Sequence, residues 1–184
     1  MARRQPNTPN RSEVRPDGAS AGQDAGDTGV LARALRVLLI APDEPGASLA
    51  QRLEGRVARL TRVSPHSTPA TDTNAVLAAV SSRRHDIVLI HADAGAAGGF
   101  EIARALSRLG DAPASVMIAE RPTMELALSA MRAGAGDMLC TSTPARELAD
   151  RLADAARQGR QKSLTRRRLE RRCARLQVVS KDVD

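Results

Sequence analysis

The sequence predicts an α/β fold, a single parallel sheet of five strands covered on both faces by helices. Two observations predict it. Within residues 35–156, apolar runs of strand length alternate five times with stretches whose apolar residues recur at helical spacing. The runs are also continuously apolar, as in strands buried on both faces. A chain of 184 residues holds one such domain plus tails.

The elements follow in order. Arg36-Val-Leu-Leu-Ile-Ala41 is a compact apolar run stopped by Pro42, and Ala47 to Leu53 is a short amphipathic helix. Val57 to Val63 forms a second strand, interrupted by Arg59 and Arg62. The polar, proline-broken stretch from Ser64 to Thr73 reads as a loop, followed by a helix through Ala75, Leu77 and Val80. Asp86-Ile-Val-Leu-Ile-His-Ala92 is the clearest strand in the chain. The glycine-rich loop from Asp93 to Gly99 leads to a helix with Ile102, Leu106 and Leu109 on one face, stopped at Gly110. Ser115-Val-Met-Ile-Ala119 is the fourth strand, and Thr123 caps a helix carrying Leu126, Ala130 and Met131 that ends at Gly134. Asp137 to Thr141 is the fifth strand. Thr143 and Pro144, cap and first-turn proline, start a helix with Leu148 and Leu152 on one face.

This alternation predicts a flavodoxin-like, doubly wound sheet of order 2-1-3-4-5 with a C-terminal helical extension. Nucleotide chemistry is not predicted. The first strand runs into Ala41-Pro-Asp-Glu-Pro-Gly46 rather than GxGxxG, and no P-loop occurs.

Composition narrows the function further. There is no Trp or Tyr and one Phe, Phe100, which excludes modules that stack bases on aromatic rings. Cys140 and Cys173 belong to no CxxC pair, so neither a disulfide framework nor a zinc site is predicted. Cys140 reads as a small core residue, Phe100 as packing against the sheet, and His66 and His85 as loop and helix-end residues. The apolar runs are too short to span a membrane, and no apolar stretch follows the basic start Met1-Ala-Arg-Arg. A cytoplasmic protein with no small-molecule substrate is expected.

The formal charge of +7 divides unevenly. Residues 1–34 carry five basic and four acidic side chains, without apolar periodicity, and read as a disordered arm. Residues 35–156 carry thirteen and fourteen, and residues 157–184 ten and three. The net charge therefore sits in a basic helical tail attached to a neutral domain.

The segment from Asp86 to Glu101 resembles the third strand, acceptor loop and third helix of the receiver domain of bacterial response regulators. Ala133-Gly-Ala-Gly-Asp-Met-Leu139 resembles that family's entry into its fifth strand, and Leu38-Leu-Ile and Val116-Met-Ile occupy strands one and four. The resemblance covers roughly residues 35–156. It implies two-component phosphorelay signalling, in which an aspartate accepts a phosphoryl group. Two acids of the first loop hold Mg²⁺, while a hydroxyl and a lysine bind the phosphoryl oxygens.

Each of these positions departs from the family's pattern. The acceptor falls on His91, the acidic pair on Ala41 and Pro42, the hydroxyl on Ala119 and the lysine on Thr141. The switch aromatic falls on Met138, and residues 35–156 contain no lysine. The resemblance therefore implies a pseudo-receiver. It would not be an enzyme and would hold no cofactor, Mg²⁺ included, since the acidic pair is absent. Asp43 and Asp93 remain nearby, and His91 with Asp43 supplies at most two metal ligands. Such a module acts by protein contacts through its fourth helix, fifth strand and fifth helix, here Thr123 to Asp154.

The tail leaves three readings open. Leu169, Cys173, Leu176 and Val179 or Ser180 form one apolar seam, suited to an extension of the fifth helix or to a homodimeric coiled coil. Arg167, Arg171 and Arg175 share a face flanked by Arg168 and Arg172, suited to polyanion or partner contacts, including non-specific nucleic acid. A membrane surface ranks last, for want of a broad apolar face. The alternative function is a nucleic-acid-associated regulator whose receiver-like domain dimerises and presents this helix.

Overall fold

The computed structural model describes residues 32–65, 69–82, 85–94, 98–109 and 112–181. Most of the predicted N-terminal arm, His66 and the Gly110 stop lie outside the described residues. Among the described residues, five strands, β1 (Arg36–Ile40), β2 (Arg59–Val63), β3 (Ile87–His91), β4 (Ala114–Ala119) and β5 (Asp137–Cys140), alternate with five helices. These are α1 (Asp43–Leu53), α2 (Pro69–Ser82), α3 (Gly98–Ser107), α4 (Met124–Arg132) and α5 (Ala145–Lys181). All four strand pairs are parallel, in the order β2-β1-β3-β4-β5. The predicted doubly wound sheet is the observed one.

Side-chain alternation along the strands divides the core in two. Val37, Leu39, Ile87, Leu89, Val116 and Ile118 face α1 and α5, where Leu49, Leu53, Leu148 and Leu152 cover them. Leu38, Ile40, Val88, Ile90 and Met117 face the other way, beneath Val76 of α2, Ile102 and Leu106 of α3 and Ala130 of α4. Edge strand β2 turns Arg59 and Arg62 outward, which explains why arginine tolerates this strand.

Several boundaries differ from the sequence reading. α1 starts at Asp43 rather than Ala47, because Pro42 takes the cap position and Pro45 falls in the first turn, where no backbone N–H is needed. Asp43 and Glu44 favour that helix terminus electrostatically. α2 begins at Pro69, so the predicted loop to Thr73 is shorter than expected. Pro144 precedes α5 and accepts from the Leu148 N–H at 2.8 Å, so the helix opens one residue later than a Thr143 cap would give. Thr123 does cap α4, accepting from the Leu126 N–H at 3.2 Å, and Gly134 ends it at φ +95°. Core contacts begin at Ala32, and α5 runs unbroken across residue 156 into the basic tail.

The N-terminal edge of the sheet is tied by one carboxylate. Asp86 accepts from the Arg36 backbone N–H at 2.9 Å and from its Nε at 3.1 Å, while the Asp86 N–H donates to the Arg36 carbonyl at 2.8 Å. Arg160 of α5 lies 3.5 Å from the same carboxylate. Burial pushes the Asp86 carboxyl up, but the hydrogen bonds and charge of Arg36, with the charge of Arg160, hold it below its ordinary value. A carboxyl lowered by folding stabilises the fold above its unfolded value, about 3.9, and that contribution fades as pH falls through the folded value. Asp86→Asn is therefore expected to flatten the acid limb of a urea-stability profile below about pH 4 while leaving its shape near neutrality unchanged.

Gly99 packs against the end of β3 so closely that a Cβ would sit 2.2 Å from the His91 carbonyl oxygen. Gly55 adopts φ +70° with nothing within 4 Å of an added Cβ. Gly99→Ala is expected to cost about 3 kcal/mol in urea unfolding, by overpacking. Gly55→Ala is expected to cost about 1 kcal/mol, from backbone strain alone.

Candidate functional site

The C-terminal edge of the sheet gathers the positions singled out by the sequence. Backbone pairing sets them side by side: Ala92 N–H donates to the Ile118 carbonyl at 2.8 Å, and Thr141 N–H to the Ala119 carbonyl at 2.9 Å. Ala41 follows β1 with its N–H on the Val63 carbonyl at 3.3 Å. The edge thus brings Ala41, Pro42, His91, Ala119 and Thr141 to one end of the fold.

Their chemistry is sparse. Ala41 and Ala119 are buried methyl groups, and Pro42 caps α1 without a side-chain hydrogen bond. His91 has the strand parity of Ile87 and Leu89 and is 2% exposed. Its Nδ1 accepts the Asp93 N–H at 3.2 Å and lies 3.8 Å from the Asp93 carboxylate. In the neutral ring this places the proton on Nε2, which is buried without a hydrogen-bond partner in the structure. His91 is thus a packed residue held by its own loop.

The Asp43 carboxylate accepts the Ser64 hydroxyl at 2.6 Å. Among the described residues, no three His, Cys, Asp or Glu side chains converge as a metal site.

One participant was invisible in the sequence. Arg52, in the last turn of α1, donates through its two terminal nitrogens to the carbonyls of Thr141 and Thr143. A guanidinium from α1 thereby fastens the loop in which the resemblance places a lysine. No local pattern announces it, since the partners are 89 and 91 residues apart.

Cys140 corrects another expectation. It is half-buried rather than a core residue, because it is the last residue of a short strand at the edge of the sheet. Its Sγ donates to the Glu120 carbonyl at 3.2 Å and lies 2.9 Å from the Ser142 hydroxyl. Hydrogen bonds from the Ser142 side chain and backbone hold the thiol below its ordinary value, against the opposing effect of burial.

No family model matches the sequence, and no curated protein does. Solved structures match instead. The BeF3-activated N-terminal receiver domain of RstA from Klebsiella pneumoniae is 17% identical at a TM-score of 0.55, covering 66% of this chain and 98% of that domain. A CheY-like response regulator receiver domain protein from Methanospirillum hungatei is also 17% identical at 0.55, covering 70% and 99%. HP1043, an orphan response regulator of Helicobacter pylori, is 16% identical at 0.51, covering 67% and 98%.

The fold is that of a response-regulator receiver domain. About a third of this chain lies outside each of these matches. No helix among the described residues is long and apolar enough to cross a membrane.

The helix–strand–helix face named by the resemblance is fully described. α4 presents Met124, Leu128 and Met131 outward, at 78%, 49% and 45% exposure, spaced to form one stripe. Beside it, Arg151 of α5 donates to Asp137 of β5 at 2.6 Å, fixing the two elements together. Met138 is half-buried and packs into the core beneath α4, in register with Met117.

The Cys140–Ser142 contact gives a direct test. In a Cys173→Ser background, Ser142→Ala is expected to move the pH dependence of Cys140 alkylation upward, read by iodoacetamide labelling and intact mass.

Proposed function

We propose that this chain is a signalling module of the receiver type that works by protein contact and accepts no phosphoryl group of its own. The observation carrying this reading is the C-terminal edge of the sheet. An acceptor needs an exposed nucleophile, an acidic pair for Mg²⁺ and two groups for the phosphoryl oxygens. Here the corresponding places hold a buried His91, Ala41 and Pro42, Ala119 and Thr141. Arg52, which reaches that loop, donates to its backbone carbonyls. Transfer to His91 would require its buried Nε2 to reach a phosphodonor and would leave the product without a stabilising cation.

The Met124, Leu128 and Met131 stripe supports the contact half of the reading. Flexible thioethers beside a leucine form an adaptable apolar surface of the sort that docks a partner. On this reading the module is not an enzyme, needs no cofactor and functions in the cytoplasm within a two-component pathway.

Incubation with Mg²⁺ and a small acyl phosphate, followed by intact mass measurement, is expected to leave the mass unchanged. An acid-labile gain of one phosphate overturns the proposal. In pull-downs with the full chain, Met124→Glu with Leu128→Glu is expected to release the bound partner without changing the urea midpoint, since both side chains face solvent.

A further inference from the structure

Past Gly159, α5 parts from the sheet. Gly159 abuts Ala114 so tightly that a Cβ there would lie 2.5 Å from the Ala114 Cβ. From Leu164 to Ala174 every described side chain is exposed. Residues 160–181 hold nine basic residues and one acid, Glu170, within a continuous helix. At 1.5 Å per residue this is about 33 Å of helix with one net positive charge per about 4 Å. A strand of duplex nucleic acid carries one phosphate per roughly 3.4 Å of axis, so the linear charge densities match.

The charges lie on a definite side. Successive residues turn by about 100°, which places Arg160, Arg167 and Arg171 within about 40° of one another, with Arg168 and Arg172 continuing round the exposed side. Arg160 and Arg166 have carboxylate partners in Asp86 and Glu170, at 3.5 and 3.6 Å. No carboxylate among the described residues pairs with Arg168, Arg171 or Arg172. At the foot of the strip, Arg160, Ser163 and Arg167 line a cleft against the N-terminal edge of the sheet, together with Arg36, His85 and Asp86.

Two other occupants fit less well. Leu164 and Leu169 are 67% and 56% exposed, but about 140° apart around the helix, so no apolar face is available to enter a membrane. The seam through Leu169 and Cys173 includes Lys162 and Thr165. Pairing it with a second copy would align two strongly positive helices.

We propose that the projecting half of α5, with the cleft at its foot, binds the phosphate backbone of duplex nucleic acid independently of base sequence. The full chain and a short fluorescein-labelled random DNA duplex, followed by anisotropy, provide the test. Binding is expected to weaken at least tenfold between about 50 and 200 mM salt. Arg168→Ala, Arg171→Ala and Arg172→Ala together should weaken it a further tenfold and reduce the log–log salt slope by about 2 to 3. Alanine is the best helix former, so helicity by circular dichroism should be retained.

A charge-matched control, Arg56→Ala with Arg108→Ala and Arg121→Ala, removes three exposed arginines from the body of the domain. It should change affinity less than twofold. The proposal is overturned by equal losses in the two triple variants, by salt-insensitive binding, by no binding at low salt, or by tighter binding to anionic phospholipid vesicles than to the duplex.

Discussion

Everything in this fold depends on three central strands whose middle residues put only apolar side chains on both faces. Val37 to Ile40, Ile87 to Ile90 and Val116 to Ile118 are fully buried, and alternation sends successive residues to opposite sides. Such strands cannot face water, so both faces need a helical layer, and helices of crossover length supply it. With the faces closed, the sheet can offer chemistry only along its two edges. The C-terminal edge carries the loops of the candidate site; the N-terminal edge is closed by Asp86 between Arg36 and Arg160.

The same packing bears on how His91 and Gly99 are read together. The third helix approaches the end of β3 closely enough that only glycine fits at Gly99, against the His91 carbonyl and the Ile90 side chain, while the buried His91 side chain has the parity of Ile87 and Leu89, on the other face. Its ring is oriented by the Asp93 backbone N–H, a local bond that needs no ligand. Arg52 plays the matching part on the other side of the edge, where backbone carbonyls, rather than an anion, satisfy the guanidinium. These side chains at the edge are held by internal contacts. The flanks differ in kind: α4 shows an apolar stripe, and the end of α5 shows dense positive charge.

Much of this was legible in the sequence because it rests on local pattern. The five apolar runs, the Thr123 cap and the Gly134 stop are set by neighbours within a few residues, and each appears where the pattern puts it. Helix starts beside proline were harder to read. Pro42 and Pro69 lie at helix N-termini, where a missing N–H costs nothing, so residues expected to stop a strand and to break a loop also open helices, whereas the start at Pro144 was read and falls one residue early. Cys140 was misread because an apolar strand pattern does not say where an edge strand stops being covered.

The sequence by itself determined the strand and helix order and the two-sided burial of the sheet. It also placed the net charge in the last helix. Only the tertiary structure decided which groups meet. Arg52 reaches Thr141 and Thr143, Asp43 is taken by Ser64, Arg160 is drawn to Asp86, and Met124, Leu128 and Met131 are left facing solvent. The physical reason is range: propensity and periodicity act over one or two turns of chain, whereas these contacts join residues tens of positions apart, which only the closed sheet brings together.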